Sequence, residues 1–234
     1  MRKRFVLAVI LAASVIVAAN AQSVGGGVSV WVPESLYLDR GGSVGVETAL
    51  GSSVGLGSLV SLPFGVVYNK VYGLLPESAE GLPTAPRPWF VADTFVLHAS
   101  LMVTVPIGPL YAKAFGGGAG GWNATLVPLV GNIAADLAAD GQLVVFDGGI
   151  PTITDGRWGY GWIAGGAVGI TIDQIAIDLN ATYRLLRYDV TVAGDVFRID
   201  AESGAFIADE PVSIPNLVAR LAGVSIGINA RFSF

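Results

Sequence analysis

Apolar residues recur at every second position over much of this chain, and the pattern is clearest in its last fourteen residues, Leu221 to Phe234. The even positions there are Ala222, Val224, Ile226, Ile228, Ala230, Phe232 and Phe234, whereas Gly223, Ser225, Gly227, Asn229, Arg231 and Ser233 are small or polar. A period of two predicts an extended strand with one apolar face. Strands of soluble proteins run about five or six residues, so this one is more than twice the usual length. Its apolar face ends on two aromatics, the placement expected where a strand meets a membrane–water interface.

The same alternation predicts seven further strands. The first, 24–32, sets Val24, Val28, Val30 and Val32 against Gly25, Gly27, Ser29 and Trp31. The second spans 43–50, followed by a turn at Gly51-Ser52-Ser53. The third, 54–68, places Val54, Leu56, Val60, Leu62, Phe64, Val66 and Tyr68 on one face, with a bulge or local break expected at Pro63, which cannot donate to a ladder. A proline-rich loop is expected over 69–92. The fourth strand, 93–105, precedes a turn at Pro106-Ile107-Gly108-Pro109. The fifth begins near Leu110, its pattern diluted by Gly116-Gly117-Gly118 and Gly120-Gly121. A second long loop, 123–157, carries Leu129, Ile133 and Leu137 at helical spacing, which predicts a short helix over 129–139. Strand six, 158–172, turns through Asp173-Gln174 into strand seven, 175–186. The pattern weakens over 187–220, where two short β runs around Gly194-Asp195 read as a hairpin. The count is eight strands, or ten if the 187–207 hairpin joins the wall.

Connections after strands two, four and six are short, and those after one, three, five and seven are long. That asymmetry separates periplasmic turns from external loops in outer-membrane barrels. Composition strengthens the reading: the chain is 53% hydrophobic with a mean hydropathy of +0.64, yet after the N-terminus no stretch of eighteen uninterrupted apolar residues occurs. Only helices and closed barrels satisfy every backbone polar group inside hydrocarbon. The predicted fold is all-β: a closed antiparallel up-and-down transmembrane β-barrel of about eight strands. Phe232 and Phe234 would lie in the inner aromatic girdle, and Tyr68, Phe95, Trp158, Tyr160 and Trp162 in the outer one.

The N-terminus reads as an export signal. Met1-Arg2-Lys3-Arg4 is basic, Phe5 to Ala19 is an apolar run, and Ala19-Asn20-Ala21 has the form of a signal peptidase site. Residues 1–21 are therefore expected to be a cleaved signal peptide and 22–234 the barrel domain. Cleavage leaves 10 Lys+Arg against 18 Asp+Glu, a formal charge of −8. That balance argues against nucleic-acid binding. The absence of Cys excludes disulfides and lipid attachment through a cysteine.

The terminal strand resembles the closing strand of bacterial outer-membrane barrels, whose terminal Phe the barrel-assembly machinery reads. On that resemblance Phe232 and Phe234 form the assembly signal, and the partners are that machinery and outer-membrane lipids. The mature chain as a whole resembles the small OmpW/OmpX-like barrels. The resemblance implies a non-enzymatic protein of the cell outer membrane that passes, or binds laterally, small or apolar solutes. A structural or surface-interaction barrel using the long loops is the alternative, and a lipid-modifying barrel enzyme is the least favoured.

Inward positions carry few charges. Glu47, Lys113, Asp178, Arg184 and Arg231 are expected to form a lumen network, with Asp178 facing Arg231 across adjacent strands. Such a network keeps buried charges paired, or it forms a constriction that selects solutes. His98, the single histidine, faces inward beside Thr94 and Ser100 without the spacing of a Ser-His-acid site. No catalytic residue, cofactor or metal site is expected. Asp136, Asp140 and Asp147 lack the spacing of a calcium loop and are expected in a solvated loop.

Overall fold

The computed structural model describes residues 23–33, 45–78, 87–139, 143–146, 152–153, 156–199, 203 and 206–234. The expected signal segment 1–21 lies outside them, as do Asp140 and Asp147.

Eight long strands alternate apolar-out and small-or-polar-in: β1 (Ser23–Pro33), β2 (Gly45–Gly55), β3 (Val60–Ser78), β4 (Phe90–Ile107), β5 (Leu110–Pro128), β8 (Trp158–Ile172), β9 (Ile175–Ile199) and β10 (Phe206–Ser233). Between β5 and β8 lie helix α1 (Val130–Ala139) and two short strands, β6 (Leu143–Phe146) and β7 (Thr152–Ile153). Each long strand pairs antiparallel with its neighbour, and β10 pairs with both β9 and β1, which closes the barrel. β6 and β7 pair only with the outer part of β9.

The outward face matches the alternation along the sequence. Val224, Ile226, Ile228 and Phe232 on β10, Ile175, Ile177 and Leu179 on β9, and Val28 and Val30 on β1 are all exposed. Such a surface would be unfavourable in water, and a bilayer accommodates it. At its outer limit Tyr68, Phe95, Trp122 and Trp158 run across four adjacent strands with ring centroids 5.1, 5.8 and 6.4 Å apart. Directly beyond this girdle the outward positions on β3, β4 and β5 become Lys70, Asp93 and Thr125, polar residues that mark where the apolar belt stops.

Several boundaries differ from the sequence-based expectation. Gly51-Ser52-Ser53 is not a turn: β2 runs through it, Val54 belongs to β2, and the chain reverses at 56–59. These small residues remain extended because β1 and β3 pair with them on both sides. At Pro63 the β3–β4 ladder opens without a change of register, while pairing with β2 continues through Pro63 opposite Ser53. Strand five is complete, and its glycines are paired on both sides. The other two tight turns place Gly108 and Asp173 at φ 64° and 53°, a left-handed conformation suited to Gly and tolerated by Asp.

The largest difference lies at the outer end. Residues 69–78, 187–199 and 206–220, read as loop or weak hairpin, continue β3, β9 and β10. Gly194 pairs with Val212 inside the β9–β10 ladder, so no turn occurs there and the barrel has eight strands, not ten. β10 has 28 residues, whereas crossing a bilayer needs about 9–11. Much of it therefore stands beyond the apolar belt.

β1 and β2 are shorter. β1 ends at Pro33 opposite Gly223, and beyond that point β10 pairs directly with β3, Arg220 opposite Leu75 and Ala219 opposite Pro76. The circuit of strands thus shortens from eight to six and draws the outer mouth into a neck.

Candidate functional site: the lumen and its outer neck

An eight-stranded barrel has an interior just wide enough for side chains to fill, and a circuit of six is narrower still. In the neck, Trp31, Trp89, Phe90, Ile133, Leu186, Tyr188, Val190 and Leu221 pack as one cluster, none more than 2% exposed. Helix α1 contributes Ile133, as its helical spacing predicts. The helix is held against the segment before β4: Leu129 N donates to Trp89 O at 2.7 Å and Asn132 Nδ2 to Pro88 O at 2.7 Å. Asp136 accepts from Arg87 N at 2.6 Å and Trp89 Nε1 at 3.0 Å. Asp136 is 4% exposed, which corrects the expectation of a solvated loop residue. Its role is to anchor the helix over the mouth.

Directly beneath the neck lies the first charged layer. Arg184 makes a two-pronged contact with Glu47, Nη1 to Oε1 at 2.8 Å and Nη2 to Oε2 at 3.3 Å. Asn69 Nδ2 donates to the same carboxylate at 2.7 Å, Ser29 Oγ at 3.2 Å, and Ser225 Oγ bonds it as well. The Trp31 ring lies 5.1 Å from the guanidinium carbon. Glu47 and Arg184 are 1% and 2% exposed. Five donors on one carboxylate and an aromatic lid on the cation are what a buried pair requires to offset desolvation.

A second charged layer lies nearer the inner end. Lys113 Nζ bonds Asp178 Oδ2 at 2.6 Å, and Tyr111 Oη and Asn229 Nδ2 donate to the same carboxylate at 3.1 and 3.3 Å. The predicted lumen charges therefore divide into two groups. Glu47 sits with Arg184, and Lys113 sits with Asp178. Asp178 and Arg231 do not face one another. The β9–β10 register sets Asp178 opposite Asn229 and Arg231 opposite Ala176. Among the described residues Arg231 forms no ion pair, and its Nε has no hydrogen-bond partner.

Among the described residues, three cavities succeed one another along the axis from the inner end. One of about 390 Å³ lies between the 56–59 turn and the C-terminal residues Ser233 and Phe234. It shares Ser53, Met102 and Arg231 with a cavity of about 170 Å³ around His98, Ser100, Lys113 and Asp178. A third, about 120 Å³, lies under Glu47 and Arg184 and shares His98, Phe115 and Asn180 with the second. His98 faces inward as its phase predicts, and among the described residues it forms no hydrogen bond to Ser100 or an acid. Among the described residues no three His, Cys, Asp or Glu side chains assemble as a metal site. Trp31, Trp89 and Tyr188 escaped sequence reasoning. Trp31 was legible as inward, but nothing in the sequence indicated that the strand beyond Arg187 would bring Tyr188 beside it.

No protein-family profile matches the chain, and neither does any curated protein. Among solved structures, the chain is similar to the outer membrane protein OprG from Pseudomonas aeruginosa, at 12% identity and a TM-score of 0.45, covering 92% of this chain and 98% of that one. It is also similar to a major outer membrane protein from Thermus thermophilus, at 12% identity and a TM-score of 0.42, covering 91% and 99%.

Proposed function

We propose that this chain is a non-enzymatic, integral outer-membrane protein whose barrel spans the membrane as a cylinder closed at its outer end. The apolar belt, bounded by the Tyr68–Phe95–Trp122–Trp158 girdle and the polar positions beyond it, supports residence in a bilayer. The three short turns and the C-terminus share one end, which is the periplasmic end in this reading. The tall β9–β10 wall then stands outside with α1, β6 and β7. Outer-membrane lipids contact the belt, and Phe232 and Phe234 serve the assembly machinery as the C-terminal signal.

The observation that carries the closed reading is the direct β10–β3 pairing above β1 and β2, with the aromatic cluster packed inside it. Closure built from backbone pairing and filled with rigid rings differs from a loop resting over a pore. The protein therefore acts as a structural or surface barrel through its outer wall, and axial diffusion of solutes is not its role. Planar-bilayer recording of the refolded protein tests this directly. A silent bilayer is expected, and reproducible single-channel steps would restore the alternative of a solute-passing barrel.

A further inference from the structure

The sealed neck leaves the lower lumen as a blind chamber reached from the inner mouth, and its polar groups are not balanced. Lys113 and Arg231 bring two cations to the wall of the 170 Å³ cavity, against one carboxylate, Asp178. That carboxylate is already engaged by Lys113, Tyr111 and Asn229. Glu47, the next acid along the axis, is held by Arg184, Asn69, Ser29 and Ser225. Among the described residues no acid, the terminal carboxylate included, pairs with Arg231.

Three buried polar atoms on residues lining this cavity have no hydrogen-bond partner: Arg231 Nε, Ser100 Oγ and His98 Nδ1. Ser100 is 4% exposed. Buried polar groups are almost always satisfied, and exceptions call for an explanation. Water alone fits the space, since one molecule needs only about 10–15 Å³. Water, however, supplies no negative charge to a wall on which two cations meet one carboxylate.

We propose that this chamber is a binding site for a small oxyanion, a carboxylate or a phosphate, that enters from the inner mouth. Arg231 supplies the charge at the boundary shared with the mouth, and Ser100 and His98 supply hydrogen bonds further in. The ligand is small because Met102 and Phe115 also line the chamber and the Glu47–Arg184 layer closes it above. The site rests on the blind-lumen reading only for its direction of entry.

The test is calorimetric titration of the refolded barrel in a neutral detergent with sodium phosphate and, separately, sodium acetate, with sodium chloride at matched ionic strength as control. Saturable binding of one or both oxyanions above the chloride control is expected. Arg231→Gln should weaken it by about ten-fold or more, the effect of losing a charge-assisted contact, and Arg231→Lys should retain part of it. Ser100→Ala gives an independent, smaller loss and serves if Arg231→Gln does not fold. Heats indistinguishable from chloride in the wild type, or unchanged affinity in the folded variants, would overturn the site. A conducting bilayer alongside intact oxyanion binding would overturn the sealed neck alone.

Discussion

Replacing Glu47 by Leu leaves the Arg184 guanidinium in the barrel interior at 2% exposure with no carboxylate beside it. Breaking a buried pair by removing one partner costs about 3–5 kcal/mol, because the survivor stays desolvated and unpaired. Arg184→Leu should cost a similar amount, since Glu47 retains only its neutral donors. Removing both charges behaves differently. Ser29 and Ser225 still bond each other at 2.8 Å, and the main loss is the Asn69 amide without its acceptor, worth about 1–3 kcal/mol. The double variant Glu47→Leu/Arg184→Leu should therefore be more stable than either single variant by about 2 kcal/mol or more. Urea unfolding in lipid vesicles, followed by tryptophan fluorescence and by gel mobility of the folded barrel, reads all four corners of the cycle. Additive costs, or single variants as stable as the wild type, would show that the pair is hydrated and that no dry layer lies under the neck.

Asp136→Ala should free α1 from Arg87 and Trp89, exposing the 130–139 segment to protease while costing about 1–3 kcal/mol for the Trp89 indole left unsatisfied. The bilayer should stay silent in that variant, because β3 and β10 remain paired. A Cβ on Gly121 would collide with the Tyr188 phenol, so Gly121→Ala should destabilise the barrel by about 1–3 kcal/mol, as overpacking does. Part of that loss should return in a Tyr188→Phe background on the same unfolding assay. Deleting Phe232–Phe234 should lower the amount of folded barrel recovered from outer membranes while leaving refolding in detergent largely intact; equal recovery would remove these residues from the assembly signal.

The membrane-crossing part of the fold was legible because a bilayer imposes alternation on every strand it contacts. Strand six was readable to the residue, and the even face of the last strand is outward throughout its expected length. Where strands leave the apolar belt, that constraint ends while backbone pairing continues. Residues 187–199 and 206–220 therefore read as weak although they form the tallest part of the wall. Gly51 and Ser52 misled for a related reason, since small residues in a paired strand look like a turn when their neighbours are unknown. The lumen charges were all identified as inward, but their partners depend on register across strands far apart in sequence. Glu47 and Arg184 are 137 positions apart, a relation that spacing cannot reveal. The aromatic seal was hidden in the same way, since its members lie on five elements and on the segment before β4.

A membrane-spanning barrel requires the even face of β10 to meet lipid, and a depth profile of arginine substitutions along that face tests this most directly. Ile226 lies six residues above Phe232, about 15 Å along the membrane normal for a strand rising about 3.3 Å per residue at a tilt near 40°. Ile226→Arg should lower stability in vesicles by about 2–4 kcal/mol, and Phe232→Arg near the interface by no more than about 1 kcal/mol from the charge itself. A flat profile, with Ile226→Arg no worse than Phe232→Arg, would contradict a membrane-spanning barrel.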